Sequence, residues 1–127
     1  MTTSERIVQI ARGMSAAATL LSALELDLFT ELGKGPRTYR QLRRALGLRE
    51  PAASDFLDAL VALNLLGREG SARDAIYVNT RESGQFLDRN SPDYIGAQLS
   101  VTNARFAPVW KSLTASLRAA VDTTRSV

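Results

Sequence analysis

Between Ser4 and Leu24, apolar residues recur at Ile7, Ile10, Ala11, Met14, Ala17, Ala18, Leu21 and Leu24. Steps of three and four, kept up over about five turns, predict an amphipathic helix, with Gly13 as the one point where it could break. Val8 and Leu20 add a second strip, so the helix is apolar on more than one side. Two readings fit: a helix buried in its own core, or a helix between two subunits. Ala16, Ala17, Ala18 and Ala23 would permit close approach in the second. A chain of 127 residues has little core with which to surround such a helix, which favours the interface.

The pattern then shortens. Glu25 to Leu32 continues as a brief helix that Gly33-Lys-Gly-Pro36 stops. Thr38 and Gln41 have capping-box spacing, Tyr39, Leu42 and Leu46 form the inner face of the helix they open, and Gly47 suits its end. Pro51 fits the first turn of the next helix, with Ala53, Phe56, Leu57, Leu60, Val61 and Leu63 on one side. These two helices, joined by residues 47–50, make a helix-turn-helix. Residues 65–69 and 75–78 read as a β-hairpin, which in this position is a wing. Thr80 caps a short helix carrying Phe86 and Leu87. Ser91-Pro-Asp93 signals a helix start running to about Arg105, and Pro108 opens a last helix with Trp110, Leu113, Leu117 and Val121 inward. The expected fold is mainly α: a winged helix over residues 1–121 with additional N- and C-terminal helices, followed by a short tail over 122–127.

Composition narrows the chemistry. The chain contains no cysteine and no histidine, which removes disulfides, thiolate catalysis, imidazole bases and the commonest metal ligands. No metal site is expected. Gly33-Lys-Gly35 is the only glycine pairing that resembles a nucleotide loop; it follows a helix, and the third glycine position is Thr38. Asp55 and Asp58 share a helix face opposite Phe56 and Leu60, so they point to solvent and not into a cleft. The N-terminus lacks a signal-peptide pattern, and the longest low-charge stretch, Gly13 to Leu24, is short for a bilayer span. A cytoplasmic protein without membrane contact is expected.

The net charge is +3, and all but two of the 16 basic residues are arginine. Arg37, Arg40, Arg43, Arg44 and Arg49 cluster on the first helix of the helix-turn-helix and just after it. A DNA-binding winged helix reads bases with its second helix. At about 100° per residue, the outward residues of that helix are Pro51, Asp55, Asp58 and Ala62. Carboxylates there repel phosphates and offer no donor to guanine. The wing sets only Arg68 and Arg73 against Glu69 and Asp74. Specific nucleic-acid binding is therefore not expected.

The ordered set of segments resembles the N-terminal dimerisation domain of S-adenosylmethionine (SAM)-dependent O-methyltransferases, of the bacterial polyketide and phenazine type. The carrying residues are Ala23-Leu-Glu-Leu-Asp-Leu-Phe29, Gly35-Pro-Arg-Thr38 with Leu42 and Leu46-Gly47, Phe56 to Leu66, Ser91-Pro-Asp-Tyr-Ile-Gly96, Asn103-Ala-Arg-Phe106 and Trp110-x-x-Leu113. Together they span roughly residues 5 to 120. Asp27 and Asn64 stand where that family often has glycine. The resemblance implies an intertwined homodimer through the N-terminal helices. It also implies that Asn103, Phe106 and Trp110 belong to a wall over a small aromatic or polyketide substrate. SAM is implied for a complete member. Its glycine-rich loop, acidic ribose ligand and histidine base have no counterpart in these 127 residues, so no catalytic or cofactor residue is carried over.

Three functions stay open on this reading. The chain could be the dimerisation part of an O-methyltransferase whose catalytic domain is fused or separate. It could be a free-standing dimeric winged-helix regulator that binds DNA. It could be a free-standing dimeric ligand-binding or scaffold protein.

Overall fold

A computed structural model describes residues 3–71 and 74–125. Among them, seven helices and three short strands alternate along the chain. Helix α1 (Thr3–Glu25) is a single helix of 23 residues that passes through Gly13 without a break. Two residues past its end, the backbone of Asp27 turns left-handed at φ 57°, and α2 (Leu28–Leu32) leaves from there. The continuation predicted from Glu25 thus restarts at Leu28. Strand β1 (Arg37–Thr38) leads into α3 (Tyr39–Leu46) and α4 (Ala52–Ala62). The predicted capping box is formed: Gln41 N–H donates to Thr38 Oγ1 at 3.1 Å and Thr38 N–H donates to Gln41 Oε1 at 3.0 Å. Gly47 closes α3 at φ 67°, in the left-handed region that favours glycine. Pro51 lies one residue ahead of α4, as its N-cap.

Strands β2 (Leu66–Glu69) and β3 (Ile76–Asn79) form the wing hairpin, and β1 pairs on the other side of β3. All pairing is antiparallel, with Leu66 opposite Asn79 and Arg68 opposite Tyr77. Alternation then buries Leu66 and Tyr77 while leaving Ile76 and Val78 outside. Helix α5 (Arg81–Phe86) starts from a second capping box between Thr80 and Ser83. Beneath these elements Leu24, Leu28, Phe29, Leu42, Leu57, Leu60 and Leu66 make the core. Asn79 ties the wing to α2 by donating from Nδ2 to the Phe29 carbonyl at 2.8 Å.

Residues 1–96 form one compact unit and residues 97–127 another. The second unit holds nearly all of α6 (Gly96–Lys111) and the whole of α7 (Leu113–Arg125). The larger departures from the predicted elements concern these helices; β1, too, was not among the elements expected. The Ser91-Pro-Asp93 signal opens no helix; α6 begins at Gly96. Ser91 Oγ instead donates to the Gln85 carbonyl at 2.5 Å, and Asp93 accepts from Gln85 Nε2 at 3.1 Å. Ser91 Oγ also accepts from Asp93 N–H at 3.3 Å, so the local turn forms, but both side chains are tied to α5. Pro108 likewise opens no helix but sits inside α6. Its missing N–H leaves the Ala104 carbonyl without a helical donor, and both residues are exposed, so water can serve that carbonyl. The break comes one turn later, where Ser112 Oγ donates to the Pro108 carbonyl at 2.9 Å. Trp110, Leu113 and Leu117, expected to face inward, are exposed. The side chain of Val121 and the whole of Arg73 lie outside the described residues.

Candidate dimerisation site

The two-sided apolar helix predicted at the N-terminus is left uncovered. Every described residue from Thr3 to Ser15 is exposed. Ile7 is 59% accessible, Ile10 67% and Met14 78%, while Ala23 and Leu24 at the other end of α1 are buried. Of the seven side chains assigned to an interface, Ile7, Ile10, Ala11, Met14, Ala17 and Ala18 are exposed and Leu21 is half-buried. The core-helix alternative therefore holds only for the last turn of α1. Gly13 reinforces the point. A Cβ placed on it would meet no atom within 4 Å. Within one chain nothing compensates the roughly 1 kcal/mol that glycine costs a helix relative to alanine.

By length and composition α1 could also cross a membrane. The low-charge stretch from Gly13 to Leu24 is by itself as short as expected; the helix reaches that length because it continues N-terminally to Thr3.

In the second unit, Asn103, Phe106 and Trp110 fall on one face of α6, in steps of three and four. The Phe106 and Trp110 ring centroids are 6.4 Å apart at an interplanar angle of 32°. The Arg105 guanidinium stands 5.5 Å from the Phe106 ring centre. All three side chains are exposed, as are Val101, Val109, Leu113 and Leu117. Within this unit they form an apolar surface rather than a core.

The charged residues of the helix-turn-helix are sorted by their partners. Glu31 takes Lys34 at 3.0 Å and Arg37 at 3.6 Å. Its carboxyl is held below the ordinary 4.5, chiefly by the hydrogen bond from Lys34 and then by the charges of Lys34 and Arg37, against an opposing desolvation. Arg43 reaches Glu50 at 3.7 Å and donates to the Leu48 carbonyl at 3.3 Å, while the Tyr39 hydroxyl also bonds Glu50. Across the next gap Arg68 of β2 pairs with Asp58 of α4. The Arg68 guanidinium is pushed up, first by its bond to Tyr77 and then by Asp58. Tyr39, Arg43, Glu50, Asp58, Arg68 and Tyr77, together with Arg40, line a polar cavity of about 920 Å³. The Asp58–Arg68 pair was not visible in the sequence, because strand register decides which wing arginine meets α4. Asp55 and Asp58 are nevertheless exposed on the outward side, as their helical spacing predicts.

The described residues do not fit SAM. Gly33 and Gly35 lie in a turn between a helix and a strand, not between a strand and a helix. The space a Cβ would take at Gly33 is already filled by Asp88 Oδ2.

An uncovered N-terminal helix, a helix-turn-helix with a wing, and an acidic face where a reading helix would meet bases together define a winged-helix association domain. Comparison with known proteins gives its family. The model of the O-methyltransferase dimerisation domain matches residues 8–89, and the chain belongs to that family. It is 40% identical over 112 residues to the tetracenomycin polyketide synthesis 8-O-methyl transferase TcmO of Streptomyces glaucescens, covering 88% of this chain and 32% of that protein. It is 34% identical over 112 residues to the N,N-dimethyltransferase OxyT of Streptomyces rimosus, covering 88% and 31%. The crystal structure of human N-acetylserotonin methyltransferase in complex with SAM superposes with a TM-score of 0.82 at 25% identity, over 93% of this chain and 35% of that one. The chain thus spans about a third of the length of the curated relatives it matches.

Proposed function

We propose that the chain is the homodimerisation and substrate-wall domain of a SAM-dependent methyltransferase of natural-product biosynthesis, acting with a catalytic domain that is fused to it or supplied separately. The observation that carries this is the uncovered α1. Burying Ile7, Ile10 or Met14 against a partner copy stabilises by about 1.5–3 kcal/mol each, and a twofold axis supplies each contact twice. Residues 8–89 of the family match include most of this helix. Ile7, Ile10, Ala11, Met14, Ala17, Ala18 and Leu21 are the interface in this reading, and residues 1–121 act as one dimerisation domain. Asn103, Phe106 and Trp110 supply an aromatic and amide surface suited to a flat aromatic or polyketide substrate. The role of TcmO in tetracenomycin polyketide synthesis supports that class.

The test is sedimentation equilibrium at micromolar concentration in buffer without detergent, beside flotation with lipid vesicles. The expected result is twice the chain mass and no flotation. Met14→Glu and Ala18→Glu should each lower the mass by placing a charge in an apolar contact. A soluble native monomer, or quantitative flotation, would overturn the reading.

A further inference from the structure

The arginine cluster contains more positive charge than the fold uses. Arg37 and Arg43 have carboxylate partners in Glu31 and Glu50. Arg40, Arg44 and Arg49 are exposed and have no ion-pair partner among the described residues. All three line one concavity of about 480 Å³ at the C-terminal end of α3, floored by Gly47 and Leu48. Cations near a helix C-terminus are favourable, and Arg43 and Arg44 already occupy the last turn of α3. Arg44 is thus favoured where it stands, while Arg40 and Arg49, unpaired beside it, are like charges that repel it and one another.

We infer that this concavity docks a helix of an acidic partner protein. Arg40 and Arg44 are four residues apart on α3, so they project from one face. Carboxylates spaced i, i+4 on a partner helix would meet both forks, and Arg49 would take a third from the far rim. Leu48 gives the floor an apolar point of the kind found inside protein interfaces, where arginine is also enriched. A duplex is the poorer match. It is a straight rod that needs positive charge along its length, and here Asp55, Asp58 and Glu69 stand exposed on α4 and the wing.

The probe is a fluorescent helical peptide with glutamates at i, i+4. It is titrated with the full chain near physiological salt and read by anisotropy, beside a random duplex of similar length and a peptide of the same composition with its glutamates at helically scattered positions. Saturable binding of the i, i+4 peptide is expected, with the scattered peptide weaker. Arg40→Gln/Arg44→Gln should weaken binding by about tenfold or more, and Arg40→Glu/Arg44→Glu should abolish it; circular dichroism confirms the helical content of both. No binding by the native chain, equal binding by either double variant, or equal binding of the two peptides would overturn the inference. Tighter binding of the duplex than of the peptide would also overturn it and assign the surface to nucleic acid.

Discussion

Arg89 Nε lies 2.5 Å from Asp27 Oδ1, across 62 residues of sequence, and so joins the segment after α5 to the turn between α1 and α2. Arg89 also donates its backbone N–H to Thr30 Oγ1 at 3.0 Å and stands over the Tyr94 ring. Its guanidinium is held above its ordinary range, first by the bond to Asp27 and then by Tyr94. Asp27 and Asn64 are the two positions at which glycine was expected from the family resemblance, and both have positive φ, at 57° and 60°. The turns therefore keep the conformation that glycine would supply. At Asp27 the side chain adds a tether.

Opposite effects should then nearly cancel when Asp27 is replaced by glycine. Glycine relieves a left-handed backbone that costs an ordinary residue about 1–2 kcal/mol, less for aspartate, and it loses an ion pair that is exposed and therefore weak. Asp27→Gly should change unfolding stability by less than about 1 kcal/mol. Asp27→Ala keeps the strain and loses the pair, so it should destabilise by about 1 kcal/mol or more. Urea melts at one fixed protein concentration measure both. An alanine variant as stable as the glycine one would refute the account.

Dimerisation through α1 makes thermal stability depend on concentration. The melting temperature of the native chain should rise over a hundredfold increase in protein concentration. In Met14→Glu the dependence should vanish. Gly13→Ala offers a contrast of sign. It should stabilise the single helix by about 1 kcal/mol; if the partner helix approaches closely at that point, it should weaken association measured by dilution. A concentration-independent native melt would contradict the assigned interface.

Glu31 provides a pH prediction. Its carboxyl titrates below 4.5 in the folded chain because Lys34, and then Arg37, favour the ionised form. A carboxylate with a depressed folded value contributes stability that is full above the unfolded value and is lost as pH falls through the folded one. Stability should therefore decline below about pH 4.5 partly through this group. Glu31→Gln should be less stable than the native chain at pH 7, and the gap should close toward pH 3. A gap of constant size across that range would show that Glu31 acts through packing alone.

What was legible in the sequence was what local grammar and periodicity control. The α1 stripe, the Thr38–Gln41 box, the left-handed Gly47 and the Thr80 cap needed only near neighbours, and each stands where its spacing places it. Ser91-Pro-Asp93 uses the same grammar and misleads: its local bond forms, Asp93 N–H donating to Ser91 Oγ at 3.3 Å, but Gln85 engages both side chains and Ile95 N–H donates to the Phe86 carbonyl at 2.9 Å, partners that a capping rule does not see. The inward assignment of Trp110 failed for another reason. Periodicity identifies an apolar face but not whether the chain's own core or another molecule covers it. The charge partners of the arginines depended on tertiary register, as the pairing of Arg68 with Asp58 illustrates.

That pairing sharpens the last prediction, which concerns DNA. Asp58 does two things at once: it presents a carboxylate where a reading helix would approach phosphates, and it holds the wing arginine Arg68 away from them. Arg40, Arg44 and Arg49 should still give weak, salt-sensitive retardation of any duplex at low ionic strength. A sequence-specific complex would instead persist near physiological salt and prefer its site by about a thousandfold or more. Selection from random duplexes at that salt should enrich no motif for the native chain. Asp55→Asn/Asp58→Asn removes two negative charges and leaves Arg68 with Tyr77 as its remaining partner, so it should bind random duplex more tightly, with a steeper dependence on salt, and still without a motif. Enrichment of a palindromic site by the native chain would establish a regulator. An unchanged affinity in the variant would show that these carboxylates do not govern how the surface meets a polyanion.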